Sequence, residues 1–203
     1  MKARERILQI LSNSVTPALQ QAGFRKSVLD YHRKQGEVIQ TIQFQLSASN
    51  FYDRGYFNVN VGLCFDPVSR LENKPVVDMP KEFQCHYRRR LNELIRGVPD
   101  RWDVSDEVDD AEVAAALQSA VTRLLELLAG IDSVKGFLAL GWLKEGADLG
   151  LRAQMYYLQG DTAAALRDLR APFFRSRPNW DLDSWLEQRG LSALKAAIHQ
   201  ADE

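Results

Sequence analysis

The spacing of hydrophobic positions changes twice along the chain. Ile7, Leu11, Val15 and Ala18/Leu19 recur at steps of three and four, with Ile10 beside them, which predicts an N-terminal amphipathic helix. Pro17 has no backbone donor and its ring crowds the preceding turn, so a kink or interruption is expected near residues 13–15. Gly23 reads as the C-terminal stop of this helix, and Phe24 as a residue that packs back onto the core.

From residue 25 the period falls from 3.6 to 2. Residues 25–34 read as one strand, Gln35-Gly36 as a tight turn, and residues 37–46 as the hairpin partner, with Val38, Ile42, Phe44 and Leu46 on one face. A polar loop covers residues 47–55. Residues 56–65 alternate most cleanly. Phe57, Val59, Val61, Leu63 and Phe65 take one face, and Tyr56, Asn58, Asn60, Gly62 and Cys64 the other. A loop carrying Pro67, Pro75 and Pro80 follows. Residues 82–89 alternate again with Phe83, Cys85 and Tyr87 inward, and residues 102–104 read as a short last strand. Short and medium connections between such strands argue for an antiparallel meander.

Helical spacing then returns. Val113, Leu117, Val121, Leu124 and Leu128 form one stripe, opened by the acids of residues 106–110, which suit the positive end of a helix dipole, and closed by Gly130. Residues 137–143 read as a second apolar helix, with Gly136 and Gly141 in it. Residues 149–158 and 162–169 flank Gly160-Asp161 and read as a helical hairpin resembling one tetratricopeptide unit; one unit is not an array. A basic, proline-bearing loop at 171–179 and two short helices, 181–188 and 191–200, complete the pattern. The expected fold is α+β: an antiparallel sheet of about four or five strands with the N-terminal helix packed on it, over residues 1–130, and a helical C-terminal extension packed on it, over 131–203.

The order Gly23-Phe24-Arg25-Lys26, Tyr31-His32-Arg33-Lys34, VIQTIQFQ at 38–45 and FNVNVG at 57–62 resembles the family named domain of unknown function 4304. The elements that carry the resemblance are Gly23-Phe24 after the first helix, Phe44-Gln45 ending a strand pair, and Phe57/Asn60/Gly62. The strand of Cys85-His86-Tyr87-Arg88 and Trp102 sit where counterparts are expected. The resemblance covers roughly residues 1–130. It implies the α+β arrangement and no activity.

Composition narrows the class. The chain has 203 residues, 26 Lys+Arg, 27 Asp+Glu and 45% hydrophobic residues, the balance of a globular protein with enough chain for a core. Apolar runs are interrupted well short of the ~18 residues a membrane helix needs, and no export signal precedes the first helix. Cys64 and Cys85 lie outside any ligand spacing, so neither metal nor cofactor is expected, and a reducing cytoplasm suits two free thiols. Residues 1–104 hold 16 Lys+Arg and 11 Asp+Glu, and residues 105–203 hold 10 and 16, so the halves differ in sign.

Strand parity gives the candidate site. If the apolar positions face the core, Gln43, Gln45, Asn58, Asn60, His86 and Arg88 share the opposite face, with Thr41, and with Asp30 and His32 from the first strand. Asparagine is a poor strand former, and two in one strand break a local preference, as recognition sites do. The pattern also suits a sheet with one wet face, or a polar layer beneath the C-terminal helices. Cys64 lies on the parity that would let it meet His86 or His32 across strands. Arg88-Arg89-Arg90, with Arg25, Lys26, Arg33 and Lys34 on neighbouring strands, is the basic run that would contact phosphates, and Arg175 and Arg177 near Phe173, Phe174 and Trp180 form a second aromatic–basic group. Amides bind partners but seldom transfer protons. The expectation is a non-catalytic cytoplasmic protein-binding module, of the kind a bacterial accessory or toxin-neutralising protein would be. The alternatives are an enzyme for a small phosphorylated or anionic substrate at the polar face, and a weak nucleic-acid binder.

Overall fold

A computed structural model describes residues 2–48, 50, 53–144, 146, 148–175 and 181–200, with the side chains of Phe173 and Arg175 left aside. The chain divides into two compact units. Unit 1 comprises residues 1–35, 39–64 and 78–131; unit 2 comprises 36–38, 65–77 and 132–203.

Unit 1 opens with α1 (Ala3–Ile10), a five-residue π-turn (Leu11–Val15) and α2 (Thr16–Gln21). The interruption falls where Pro17 predicts it. Pro17 occupies the first turn of α2, where its missing donor is harmless, and Thr16 Oγ1 donates to the Leu11 carbonyl across the wide turn. Gly23 follows at φ 86, the left-handed conformation that ends a helix without a Cβ penalty.

Six strands form one sheet: β1 (Arg25–Ser27), β2 (Asp30–Gln35), β3 (Val38–Leu46), β4 (Arg54–Phe65), β5 (Tyr87–Arg90) and β6 (Trp102–Ser105). They lie in the order β1-β2-β3-β4-β5, and β6 pairs with the N-terminal half of β4 beyond β5. The strand expected over 25–34 is two strands. Ser27 pairs with Asp30 across a two-residue turn at Val28-Leu29, and Val28 takes φ 59 while remaining 82% exposed. A β-branched residue is costly there, and nothing in its side chain announced the turn.

The core face of β4 carries Phe57, Val59, Val61, Leu63 and Phe65, all buried as the alternation requires. Within unit 1, Tyr31 meets Phe44 edge-on at 5.6 Å, and Phe57 stacks on Trp102 at 6.1 Å. Helix α5 (Asp110–Ala129) buries Val113, Leu117, Val121, Leu124 and Leu128 against the N-terminal helical segment. Gly55 brings β4 close to α1: a Cβ there would stand 2.9 Å from Ile7 Cδ1. Gln40, wholly buried, donates to the carbonyls of Leu128 and Ile131 and accepts from Arg33, tying the end of α5 to β3.

The acids before α5 are structural. Asp109 caps the helix by accepting from Ala111 N, and Asp106 and Asp110 grip the half-buried Arg6 guanidinium at 2.7 and 2.8 Å. The contrast in sign between the sequence halves is therefore not a contrast between units, because the acids of 106–112 fold with the basic strands.

Three other expectations change. Residues 66–71, read as loop, form α3 (Asp66–Leu71), with Pro67 in its first turn. Residues 82–86, read as strand, form a 3-10 turn (Glu82–Gln84) and a bend. A short α4 (Leu91–Leu94) follows β5. In unit 2, α6 (Val134–Ala139) ends before Gly141, which lies outside it at φ 63. Helices α7 (Leu149–Leu158) and α8 (Thr162–Leu169) make the expected hairpin. They are followed by α9 (Pro172–Arg175), α10 (Leu182–Gln188), a 3-10 turn (Ser192–Leu194) and α11 (Lys195–His199). Phe174 is buried against Trp185 at 5.3 Å. The rest of the second aromatic–basic group, namely Arg177, Trp180 and the side chains of Phe173 and Arg175, lies outside the described residues.

Unit 2 holds a buried polar cluster around Glu72. This wholly buried carboxylate accepts from Lys74 Nζ and Arg189 Nη1, each at 2.7 Å, and from Gln154 Nε2 at 2.9 Å. Burial alone would raise its pKa, but these donors outweigh it and hold the carboxyl below its ordinary 4.5. Among the described residues, no helix is long and apolar enough to cross a membrane.

Candidate functional site

The polar face of the sheet belongs entirely to unit 1. Register sets it: Arg90 lies opposite Asn60 and Arg88 opposite Gly62, so both arginines share the asparagine face, while Tyr87 lies opposite Leu63 on the core side and the Arg89 side chain reaches round to the cleft. Side chains then join into one network. Asn60 Nδ2 donates to Gln43 Oε1 at 3.1 Å and to Gln45 Oε1 at 2.9 Å. Gln43 Nε2 donates to Asp30 Oδ1 at 3.0 Å, and Lys81 Nζ to Asp30 Oδ2 at 2.9 Å.

One end of this face is covered by residues 80–85. His32, 2% exposed, donates from Nε2 to the Pro80 carbonyl, and its Nδ1 is buried without a partner among the described residues. Burial pushes its pKa below the ordinary 6.5, so the ring is held neutral. Cys85 turns onto the same face, reaching Thr41 Oγ1 at 3.8 Å and the Cys64 thiol. The hydrogen bond with Cys64, then burial, push the Cys85 thiol upward, away from a reactive thiolate. Gly62 makes this possible: a Cβ there would lie 2.6 Å from Cys85 Sγ.

The other end is open. A cleft of about 460 Å³ is lined by Gln43, Gln45, Asn60, Phe83, Arg88 and Arg90, among others. A second hollow of about 380 Å³ shares Gln45 and Arg90 with it and continues past Asn58 to Tyr56 and Arg101. The two form one groove along β4. Phe83, expected inward, is 66% exposed at its rim and is the one exposed aromatic side chain among the described residues.

The arginines of the groove mostly arrive with partners. Arg88 makes a two-pronged pair with the buried Glu82 at 2.8 and 3.0 Å, Arg90 pairs with Asp100 at 2.7 Å, and Arg89 stands 3.7 Å from Glu93. Arg101 lies over the Tyr56 ring at 4.1 Å and has no carboxylate partner among the described residues. The basic run at 88–90 is thus largely neutralised rather than a free cationic strip.

Of the six residues that parity selected, Gln43, Gln45, Asn60 and Arg88 line one cleft, and Asn58 lines its continuation. His86 does not join them. It lies in the bend before β5, outside the strand pairing, because the 82–86 segment is a turn and carries no alternation. For the same reason Cys85 is not on the Tyr87 face. Cys64 meets Cys85 of that bend rather than a histidine. Arg90 was recoverable from the sequence, being two residues beyond Arg88. Phe83, Tyr56 and Arg101 gave no signal, because their places depend on the turn and on the pairing of β6.

A family model described as Domain of unknown function (DUF4304) matches residues 15–130. No curated protein and no solved structure matches the chain.

Proposed function

Since the chain belongs to the DUF4304 family, whose description assigns no activity, we propose from the groove itself that this is a non-catalytic protein-binding module acting through the polar face of unit 1. The observation that carries the reading is Phe83: an aromatic ring 66% exposed beside Arg88, at the mouth of a cleft floored by amides. Aromatic and arginine side chains are the residues that protein interfaces favour, and a polar surround with charges already balanced makes their desolvation cheap. The neighbouring ionisable groups support recognition over proton transfer. His32 is kept neutral and hydrogen-bonded, the Cys85 thiol is driven away from ionisation, and Glu82 is held by Arg88. The neutralised arginines also weigh against phosphate as the preferred ligand, since each would have to exchange a carboxylate for it.

The test is affinity capture from native extract with the wild-type chain, Phe83→Ser and Asn60→Ala, followed by quantitative mass spectrometry. A protein recovered in stoichiometric amount with the wild type, and depleted at least tenfold with both variants while they remain folded, is expected. If every co-purifying protein is retained equally by all three, the polar face is not the binding surface.

A further inference from the structure

We infer that the groove takes an extended peptide segment of its partner, laid along β4, with an acidic side chain at Arg101 and an apolar side chain against Phe83. This rests on the protein-binding reading and specifies the ligand.

The first argument is period. Asn58 and Asn60, like Gln43 and Gln45, are two residues apart on one strand face, so their amides repeat every ~6.8 Å. An extended polypeptide lying alongside repeats its outward peptide groups at the same interval. A small molecule has no reason to match that ladder.

The second argument is the hydrogen-bond inventory. Both hydrogens of Asn60 Nδ2 are committed to Gln43 and Gln45, which turns the remaining groups into a fixed pattern. Asn60 Oδ1 is left as an acceptor and Gln45 Nε2 as a donor, neither with a partner among the described residues. An acceptor beside a donor is the complement of a peptide unit, which offers one N–H and one C=O.

The third argument is polarity along the groove. Arg101 is the guanidinium without a carboxylate, stacked on Tyr56, and suits an acidic side chain. Phe83 marks the far end as apolar. Tyr56 and Asn60 are four positions apart, so the two anchors of the peptide should lie about four to six residues apart at ~3.4 Å per residue.

The probe is a random dodecapeptide library displayed on phage, selected against the full chain. Individually synthesised winners are then measured by fluorescence polarisation. Enrichment of sequences with Asp or Glu separated by about four to six residues from an aromatic or aliphatic residue is expected. Their affinity should fall at least tenfold with Asn60→Ala or Phe83→Ser. With Arg101→Gln the fall should be confined to peptides that retain the acid. Lys26→Ala, outside the groove, should leave affinity unchanged. Selection that yields no peptide dependent on Asn60 and Phe83 overturns the inference. If affinity capture nevertheless finds a partner lost with Phe83→Ser, the protein-binding reading stands and the extended-peptide form alone fails. A fluorescent single-stranded oligothymidylate serves as the competing probe. Tight, salt-sensitive binding to it that is lost with Arg101→Gln and Arg90→Gln would overturn both.

Discussion

Replacing Glu72 removes the hub of the buried polar cluster in unit 2, and the size of the effect can be worked from its neighbours. The side chain of Glu72 is 1% exposed, whereas those of Lys74 and Arg189 are 62% and 39% exposed. Solvent screens both ion pairs, so each contributes about 1 kcal/mol or less. Gln154 is different: it is wholly buried, and its Nε2 keeps only the Arg189 carbonyl once Glu72 is gone. One orphaned N–H costs about 1–2 kcal/mol. Glu72→Ala should therefore destabilise by about 2–3 kcal/mol, and by no more than about 4 kcal/mol. Glu72→Gln should cost about half as much. Its amide nitrogen can face Lys74, which swings into water, while its oxygen keeps Gln154 and Arg189. Urea titrations followed by tryptophan fluorescence and far-ultraviolet circular dichroism measure both. The pH dependence gives an internal check. The folded carboxyl titrates below the unfolded value near 4.5, so its stabilisation is complete above that value and is lost as pH falls through the folded pKa. Wild type and Glu72→Ala should converge in stability under acid. A Glu72→Ala chain within about 0.5 kcal/mol of wild type at pH 7 would refute the reasoning, as would a gap that persists unchanged into strong acid.

Three further outcomes are expected. Val59→Asp places a carboxylate at a site 2% exposed on the best-patterned strand and should cost more than ~4 kcal/mol, with Asn60→Asp much milder; thermal melts in the reverse order would contradict the face assignment. Gly62→Ala should cost about 1–3 kcal/mol by driving a methyl into Cys85, and Cys85→Gly in the same chain should recover most of it, so additive losses in chemical denaturation would exclude that clash as the cause. His32 is neutral in the fold with its pKa depressed, so the unfolded chain gains a proton first and stability should decline as pH drops from about 6.5 toward the folded pKa; His32→Gln should flatten that slope, and an identical slope in both chains would show that the decline arises elsewhere.

Much of this arrangement was legible in the chain. The period-2 pattern of 56–65 placed Asn58 and Asn60 opposite the core, and Val38, Ile42 and Phe44 did the same for Gln43 and Gln45, because strand parity depends on nothing beyond the strand. What failed was local mimicry. Residues 82–89 alternate apolar and polar as a strand does, but Glu82 turns inward to meet Arg88, and the chain makes a 3-10 turn that throws Phe83 outward. Val28 reverses the chain without glycine or asparagine, so the first hairpin went unread. Nor could parity separate the covered end of the polar face, with Thr41 and His32, from the open end at Gln45. That division is set by residues 80–85, distant in sequence from both.

The way the two units share the chain bears on how the protein is made. Unit 2 draws on residues 36–38 and 65–77, which leave the ribosome long before its remaining members at 132–203. Phe65, Val68 and Glu72 must therefore wait for residues such as Phe137, Gln154 and Arg189, which keeps two apolar side chains and a carboxylate unsatisfied until those residues are made. A fragment ending at residue 130, where the family match stops, would hold them in that condition permanently. The family boundary thus marks a limit of sequence likeness and cuts through a folding unit, so a dissected sheet domain is expected to aggregate where the whole chain does not.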